Sequence, residues 1–184
     1  MTELESSIYS APESDTDVST AEGHLAAYVG PNNTDYYMDR FSRFESGQSS
    51  VSWNWPAFFL TAMWLLYRKM WAAALLYWIG IPVAVGAIGL VLVSMEIMSP
   101  VAADMLTTVL YYGFSLTLVP MYANKLYYDH AQKKVEGVKG SYSDSEQQLT
   151  ELGRIGGTSI VPFFIAVLVV VLFIFVFAVG LSGV

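Results

Sequence analysis

Cysteine is absent from the 184 residues, and the sequence is poor in other reactive groupings. Without Cys, the chain can form no disulfide, thiolate metal site, Fe–S cluster or Cys nucleophile. The two His residues, His24 and His130, are isolated and lack the partner spacing of a zinc or haem site. No Ser-His-Asp arrangement, H-E-x-x-H motif or P-loop is present. We therefore expect no enzyme, no metal and no cofactor.

Positive charge is missing from the start of the chain. Residues 1–39 hold eight acidic residues and no Lys or Arg, and the net charge of the whole chain is −7. Nucleic acid is not an expected partner, because binding a polyanion requires clustered cations. Residues 1–27 are rich in Ser, Thr, Asp and Glu, which predicts a disordered acidic tail before a membrane domain at 28–184. The acidic start also predicts no cleavable signal peptide.

Apolar residues are abundant, at 54% of the chain, and they are gathered into long uncharged blocks. Such blocks predict an all-α integral membrane protein with three transmembrane helices. We expect the spans at about 70–95, 101–122 and 159–181, with a cytoplasmic loop at 123–158. Within this loop, short helices are expected near 124–136 and 144–153.

The first span carries a proline and several small residues. Pro82 is expected to kink the helix. Small side chains allow close helix approach, so this side of the span is a candidate interface for a partner membrane protein. The small residues are Gly80, Ala84, Gly86, Ala87 and Gly89.

An amphipathic helix is predicted at 33–46, with Asn33 or Thr34 as its N-cap. Its aromatic residues recur at helical spacing and are flanked by Arg40 and Arg43. This pattern suits the headgroup layer of a membrane. The alternative is that the aromatic side packs against another part of the protein.

The stretch WNWPAFFLTAMWLLY (53–67) predicts a short Trp-rich helix capped by Asn54. About 13 helical residues span roughly 20 Å, which is short for a hydrocarbon core of about 30 Å. Thr61 is the single polar residue between Pro56 and Leu66, so the helix has no polar face for the membrane surface. We expect it to be half-embedded and not to cross.

The nine Lys and Arg residues predict the orientation, because such residues stay on the cytoplasmic side of span ends. If 53–67 does not cross, all nine lie on the cytoplasmic side. The N-terminus is then cytoplasmic and the C-terminus outside. The alternative is four spans with an external N-terminus, which places two of the nine outside.

Two features of the loop are candidates for a role. Basic residues near the membrane attract anionic lipid headgroups, although the same residues can serve only to fix the orientation. They are Lys125, Lys133, Lys134 and Lys139. The Gly-rich stretch at 153–157 predicts a flexible joint before the third span.

Several motifs resemble a family of small bacterial inner-membrane proteins known only as a domain of unknown function. They are W-N-W-P-A-F-F (53–59), W-L-L-Y-R-K-M-W (64–71), Y-V-G-P-N-N-T-D-Y-Y-M-D-R-F (28–41), N-K-L-Y-Y-D-H (124–130) and G-G-T-S (156–159). The resemblance implies the bacterial inner membrane and carries no activity. It also implies one shared device, an interface for a partner or for lipid. This device comprises Trp53, Asn54, Trp55, Phe58, Trp64, Tyr67, Arg68 and Lys69.

The expected function is a non-catalytic subunit or scaffold of a membrane complex, which binds partner membrane proteins. The alternative is a small homo-oligomeric transporter or channel, for which Thr107, Thr108 and Ser115 would supply a polar stripe. A lipid-modifying enzyme would need its chemistry near Arg68, Lys69, Asp129 and His130, where no known motif is present.

Overall fold

The structure is a computed structural model that describes residues 14–161, together with 164, 165, 167–169, 171, 172, 174 and 175, and side chains from residue 21 onward. Every regular element between residues 14 and 155 is helical, which confirms the predicted all-α fold. The α-helices are α1 Ser14–Val29, α2 Thr34–Glu45, α3 Trp55–Leu60, α4 Ala62–Tyr67, α5 Trp71–Leu75, α6 Ile81–Ser94, α7 Pro100–Gly113, α8 Val119–Ser141 and α9 Ser145–Ile155. Two π-helical turns, Leu76–Gly80 and Phe114–Leu118, make α5–α6 and α7–α8 continuous.

Two continuous helices, Trp71–Ser94 and Pro100–Ser141, are long and apolar enough to cross a membrane. Only 11% of the most apolar window of each is buried, unlike the core helix of a soluble fold. α6 packs on α7, where a Cβ on Gly89 would lie 2.9 Å from the Thr107 methyl carbon. A larger residue at position 89 would therefore require the Thr107 side chain to move. Residues 71–122 are called the hairpin below.

The predicted end of the second span at residue 122 is not a helix end. The helix continues to Ser141 and contains 42 residues, or about 63 Å, roughly twice the thickness of a hydrocarbon core. The helix continues because buried apolar residues recur every four positions and form one face that packs in the protein interior. These residues are Ala123, Tyr127, Ala131 and Val135. The expected loop at 123–158 is thus mostly helical, while α9 lies close to the helix predicted at 144–153.

A helical unit, called the head below, is formed by α1, α2, residues 123–141 of α8, and α9. The predicted disorder of residues 1–27 is wrong from residue 14 onward, and residues 1–13 lie outside the described part. α1 is ordered because its last two turns present one apolar face to α8 and α9. The buried residues of this face are His24, Leu25, Tyr28 and Val29.

The amphipathic helix predicted at 33–46 is present as α2. Its aromatic face, Tyr37, Phe41 and Phe44, is buried against Tyr127 and Tyr128 of α8. The aromatic side therefore packs inside the protein, which was the alternative to the headgroup layer. The capping of α2 also differs from the prediction. The side chain of Asn33 makes no capping hydrogen bond, and the Thr34 hydroxyl donates to the Gly30 carbonyl, outside the helix.

A proline follows each π-helical turn at the same spacing. The Ile81 amide donates to the Leu76 carbonyl just before Pro82, and the Val119 amide donates to the Phe114 carbonyl just before Pro120. Proline lacks the N–H of a regular turn, and its ring collides with the carbonyl four residues back. The wider π turn is a recognised way to relieve this conflict. The irregularity expected at Pro82 is thus a π turn.

The short helix predicted at 53–67 is divided into α3 and α4 at Thr61, whose φ is 35° and ψ is −99°. Both ends of the segment lie beside the same two turns of α8. The Asn54 amide donates to the Pro120 carbonyl at 2.9 Å, and the ring of Trp64 lies 6.1 Å from that of Tyr127. Asn54 is the N-cap, as predicted, with its Oδ1 accepting from the Ala57 amide at 2.8 Å.

The third predicted span, 159–181, lies partly outside the described residues, which include about half of its positions. Its first described position, Ser159, donates its amide to the Tyr67 carbonyl at 2.9 Å. This contact fixes the start of the apolar segment beside the end of α4.

Candidate functional site

Arg68 is the largest fully buried side chain of the described part, with 1% of its surface exposed. It lies among aromatic rings, with its guanidinium carbon 4.3 Å from the Tyr37 ring centroid and 5.0 Å from that of Tyr127. Its terminal nitrogens donate to the carbonyls of Val29 at 3.3 Å and Asn32 at 3.2 Å. No carboxylate among the described residues forms an ion pair with it. Carbonyl dipoles and aromatic faces therefore stabilise this charge.

Lys69 makes the corresponding contact with a different helix. Its ammonium donates to the carbonyls of Ile155, at 3.3 Å, and of Gly156, which are the free carbonyls at the end of α9. Val29, bound by Arg68, is likewise the last residue of α1. The C-terminus of a helix carries a partial negative charge, so both cations lie where they are favoured. We call Arg68 and Lys69 the cationic clamp.

The local backbone directs the two side chains of the cationic clamp to different helices. The Lys69 amide donates to the Leu66 carbonyl at 3.0 Å, and the Met70 amide donates to the Leu65 carbonyl at 2.8 Å. This pair of bonds is a Schellman motif at the end of α4. Lys69 occupies its left-handed position with φ 59°, where glycine is the usual residue. From this position the lysine side chain reaches the end of α9, where its ammonium binds the free carbonyls.

The ends of α1 and α9 also contact one another directly. The Gly157 amide donates to the Tyr28 carbonyl at 2.7 Å, and a Cβ on Gly156 would lie 2.1 Å from the same oxygen. Only glycine fits at residue 156. The predicted flexible joint is therefore a closely packed, hydrogen-bonded contact. Burial raises the pKa of the Tyr28 hydroxyl to about 12, although the nearby charge of Arg68 lowers it in part.

A second polar cluster connects α2, α3 and α8. The Asn54 side-chain amide donates to Asn124 Oδ1 at 2.7 Å, and both residues are fully buried. The Asn124 amide group in turn donates to the Tyr36 hydroxyl at 3.1 Å and to Ser52 Oγ at 3.1 Å. Buried polar networks of this kind fix one relative placement of the elements that they join. Asn124 was not among the predicted site residues.

The residues predicted to form one interface are divided by the structure. Asn54, Trp64 and Arg68 are buried inside the protein, whereas Trp53 and Trp55 are exposed at 37% and 61%. Phe58, Tyr67 and Lys69 are half-buried. In the hairpin, Gly80 is half-buried and Ala84 is exposed. Of the residues predicted for this interface, those still accessible to a partner are therefore the tryptophans before and within α3 and the small residues of α6.

The other predicted positions are divided between contacts within the chain and exposed surface. Lys125 pairs with Asp129 on the same helix, while Lys133, Lys134 and Lys139 are exposed. Thr107 donates to the Ala103 carbonyl, and Ser115 accepts from the Tyr77 hydroxyl at 2.9 Å.

His130 is half-buried beside Tyr28, with ring centroids 6.1 Å apart. Its Nε2 is buried without a hydrogen-bond partner among the described residues. Across the same residues, no group of three or more Asp, Glu or His is placed to hold a metal ion.

An apolar cavity of about 370 Å³ lies beside the two π turns. It is lined by residues of α4, of the hairpin and of the first turns of α8, including Leu65, Leu76, Phe114 and Ala123. No polar surface lines it. The cavity suits an alkyl group and offers no partner to a polar ligand.

Comparison with known proteins gives a family and no activity. No curated protein and no solved structure matches the sequence. Residues 16–133 match the family described as "Protein of unknown function (DUF2628)". The matched region includes Asn54, Arg68, Lys69 and Asn124 and ends before the Gly156 contact. Because it covers more than half of the chain, the protein belongs to this family of unknown function.

Proposed function

We propose that the protein is a non-catalytic scaffold or subunit of a membrane complex, which holds the head at a membrane and binds partner membrane proteins. The observation that carries this proposal is the 42-residue helix Pro100–Ser141. Its first half exposes apolar side chains such as Val101, Met105 and Val109, while its second half contributes Tyr127 and Val135 to the core of the head. A rigid helix shared by both units couples the head mechanically to the membrane.

The distribution of charge supports a cytoplasmic head and three spans. All nine Lys and Arg residues lie in the head or in residues 68–69, and the hairpin holds none. A re-entrant segment at 53–67 agrees with the contacts of both its ends to α8. With residues 159–181 as the third span, the C-terminus lies outside. The matched family leaves the organism open, and a bacterial inner membrane is part of the proposal.

The absence of native cysteine allows a direct test of this orientation. Single-cysteine variants Ile97→Cys, in the hairpin turn, and Ser143→Cys, between α8 and α9, both replace exposed residues. In intact cells, a membrane-impermeant maleimide should label Ile97→Cys and should label Ser143→Cys only after permeabilisation. Labelling of Ser143→Cys in intact cells would reverse the orientation.

The surface proposed for a partner is the small-residue side of α6. Ala84, Gly86 and Ala87 are exposed, and a Cβ on Gly86 meets nothing within 4 Å. A partner helix could therefore approach this side closely. The channel alternative has less support, because Thr107 and Ser115, two of the three residues of its expected polar stripe, are hydrogen-bonded within the chain.

Native mass analysis of the protein purified in mild detergent tests the partner. We expect a stoichiometric foreign chain with the wild type and its loss with Gly86→Leu. Gly113→Leu is the matched control, because Gly113 is also exposed in the hairpin with nothing within 4 Å of its Cβ. A homo-oligomer without a foreign chain would overturn the proposal and favour the transporter alternative.

A further inference from the structure

We propose that a pocket between α2 and residues 49–52 binds the phosphate of an anionic phospholipid headgroup. The pocket has a volume of about 210 Å³ and contains two arginines and no acidic residue among those that line it. The lining residues are Arg40, Arg43, Phe44, Ser49, Val51 and Ser52. We call it the arginine pocket. Two guanidinium groups at one cavity are notable in a chain whose net charge is −7.

Arg40 is held in place before any ligand arrives. Its Nε donates to Ser52 Oγ at 3.1 Å, and its NH1 donates to the Tyr36 carbonyl at 2.9 Å. The guanidinium carbon also lies 3.4 Å from the centroid of the Tyr36 ring. A guanidinium that is already fixed loses little conformational freedom when it binds a phosphate. Its planar fork of N–H donors also matches the geometry of the phosphate oxygens.

Ser52 supplies a hydroxyl donor between the same elements. Its Oγ accepts hydrogen bonds from Arg40 Nε and from Asn124 Nδ2, each at 3.1 Å. Within the part of the chain that the structure describes, no acceptor receives its proton. A hydroxyl that already accepts from two donors is well placed to donate to a phosphate oxygen.

Arg43 provides a second charge that can change its partner. It pairs with Asp39 at 3.0 Å, and both side chains are more than half exposed. The other carboxylate oxygen of Asp39 lies 3.7 Å from Arg40 NH1, so this one acid faces both guanidinium groups. An exposed pair of this kind contributes little to stability, so Arg43 can exchange Asp39 for a phosphate at small cost.

The position of the arginine pocket favours a lipid over a free phosphate ion. The Ser52 amide donates to the Met121 carbonyl at 3.0 Å, close to the point where the long helix changes from apolar to charged at Lys125. The exposed Trp53 and Trp55 follow directly in the chain, and exposed Trp residues prefer the membrane–water interface. This step depends on the membrane placement of the proposed function and is independent of partner binding.

The test is lipid retention by the full chain in non-ionic detergent, measured by native mass spectrometry with added phosphatidylglycerol or phosphatidylcholine. We expect one phosphatidylglycerol to bind the wild type preferentially. Arg43→Gln should weaken this binding about tenfold, which corresponds to about 1.4 kcal/mol. The matched control is Arg154→Gln, since Arg154 is also an exposed arginine paired with an acid on its own helix, Glu151. The control should bind phosphatidylglycerol like the wild type.

Three results would overturn the proposal. Equal affinity of Arg43→Gln and the wild type would exclude the arginine pocket, and equal loss in both variants would indicate general charge attraction. Displacement of phosphatidylglycerol by millimolar inorganic phosphate would assign the pocket to a soluble anion. If the lipid result is as expected and no foreign chain co-purifies, the headgroup site stands and only the scaffold function fails.

Discussion

Arg68 and Lys69 are adjacent in sequence, yet each binds the C-terminal carbonyls of a different helix. Arg68 donates to the Val29 carbonyl at the end of α1, and Lys69 donates to the Ile155 carbonyl at the end of α9. One dipeptide at the end of α4 thereby joins two helices that are more than a hundred residues apart in the chain. The cationic clamp is a structural connection between the head and the first helix of the hairpin.

Replacement of Arg68 should destabilise the protein strongly. Arg68→Met fills similar space, but it leaves the Val29 and Asn32 carbonyls without their donors, so we expect a loss of about 3 kcal/mol in the free energy of unfolding. Thermal unfolding in detergent measures the effect. Arg154→Met, at an arginine whose side chain is 72% exposed, should unfold like the wild type. Equal unfolding temperatures for the two variants would contradict a stabilising role of the clamp.

Two glycines of the same region should respond in opposite directions to the same change. Gly156→Ala places a Cβ against the Tyr28 carbonyl oxygen, and backbone overpacking of this kind costs about 1–3 kcal/mol. Gly153→Ala, inside α9 with nothing within 4 Å of its Cβ, should stabilise by roughly 0.5–1 kcal/mol through helix propensity. Denaturant unfolding of both variants provides the comparison. A stable Gly156→Ala protein would show that the contact between α1 and α9 adjusts.

Local patterns in the sequence predicted the elements better than their contacts. Helical spacing of aromatics gave α2, and Asn-x-Pro gave the start of α3, because capping and periodicity are properties of a few neighbouring residues. The burial of Arg68 depends on helix ends near residues 29 and 155, which no local pattern brings together. Composition also misassigned α1, since its acidic residues obscured the short apolar face at its end.

The Asn54–Asn124 pair should be more sensitive than an exposed cap. Asn54→Ala removes the cap of α3, worth about 1 kcal/mol, and leaves the buried Asn124 Oδ1 without its donor, at about 1–3 kcal/mol. Asp144→Ala is the control, because Asp144 Oδ2 caps α9 at the surface by accepting from the Gln147 amide at 2.9 Å. Its expected cost is about 1 kcal/mol. Similar unfolding free energies for both variants would remove the argument for a buried network.

Alkaline pH should weaken the head through Tyr28. The pKa of its hydroxyl is raised to about 12 in the folded protein, above the value of about 10 expected in the unfolded chain. The folded state therefore keeps this proton more tightly, and stability falls as the pH rises from about 10 towards about 12. Tyr28→Phe should lose less stability than the wild type between about pH 10 and about pH 12. An identical loss in both proteins would show that Tyr28 does not contribute.

The two π turns should be coupled through Tyr77 and Ser115. The Tyr77 hydroxyl donates to Ser115 Oγ at 2.9 Å, and both residues are buried between the two helices of the hairpin. Tyr77→Phe and Ser115→Ala each break the bond, so the double variant should cost less than the sum of the single ones. We expect a coupling energy of about 0.5–1.5 kcal/mol, the range found for hydrogen bonds between membrane helices.

A double-mutant cycle of unfolding free energies in detergent measures this coupling. Thr117→Ala combined with Tyr77→Phe is the control, because Thr117 bonds to the Gly113 carbonyl of its own helix and should add independently. Additive costs for Tyr77 and Ser115 would show that the hydroxyls do not hold the π turns together. In that case, apolar packing alone would position the two helices.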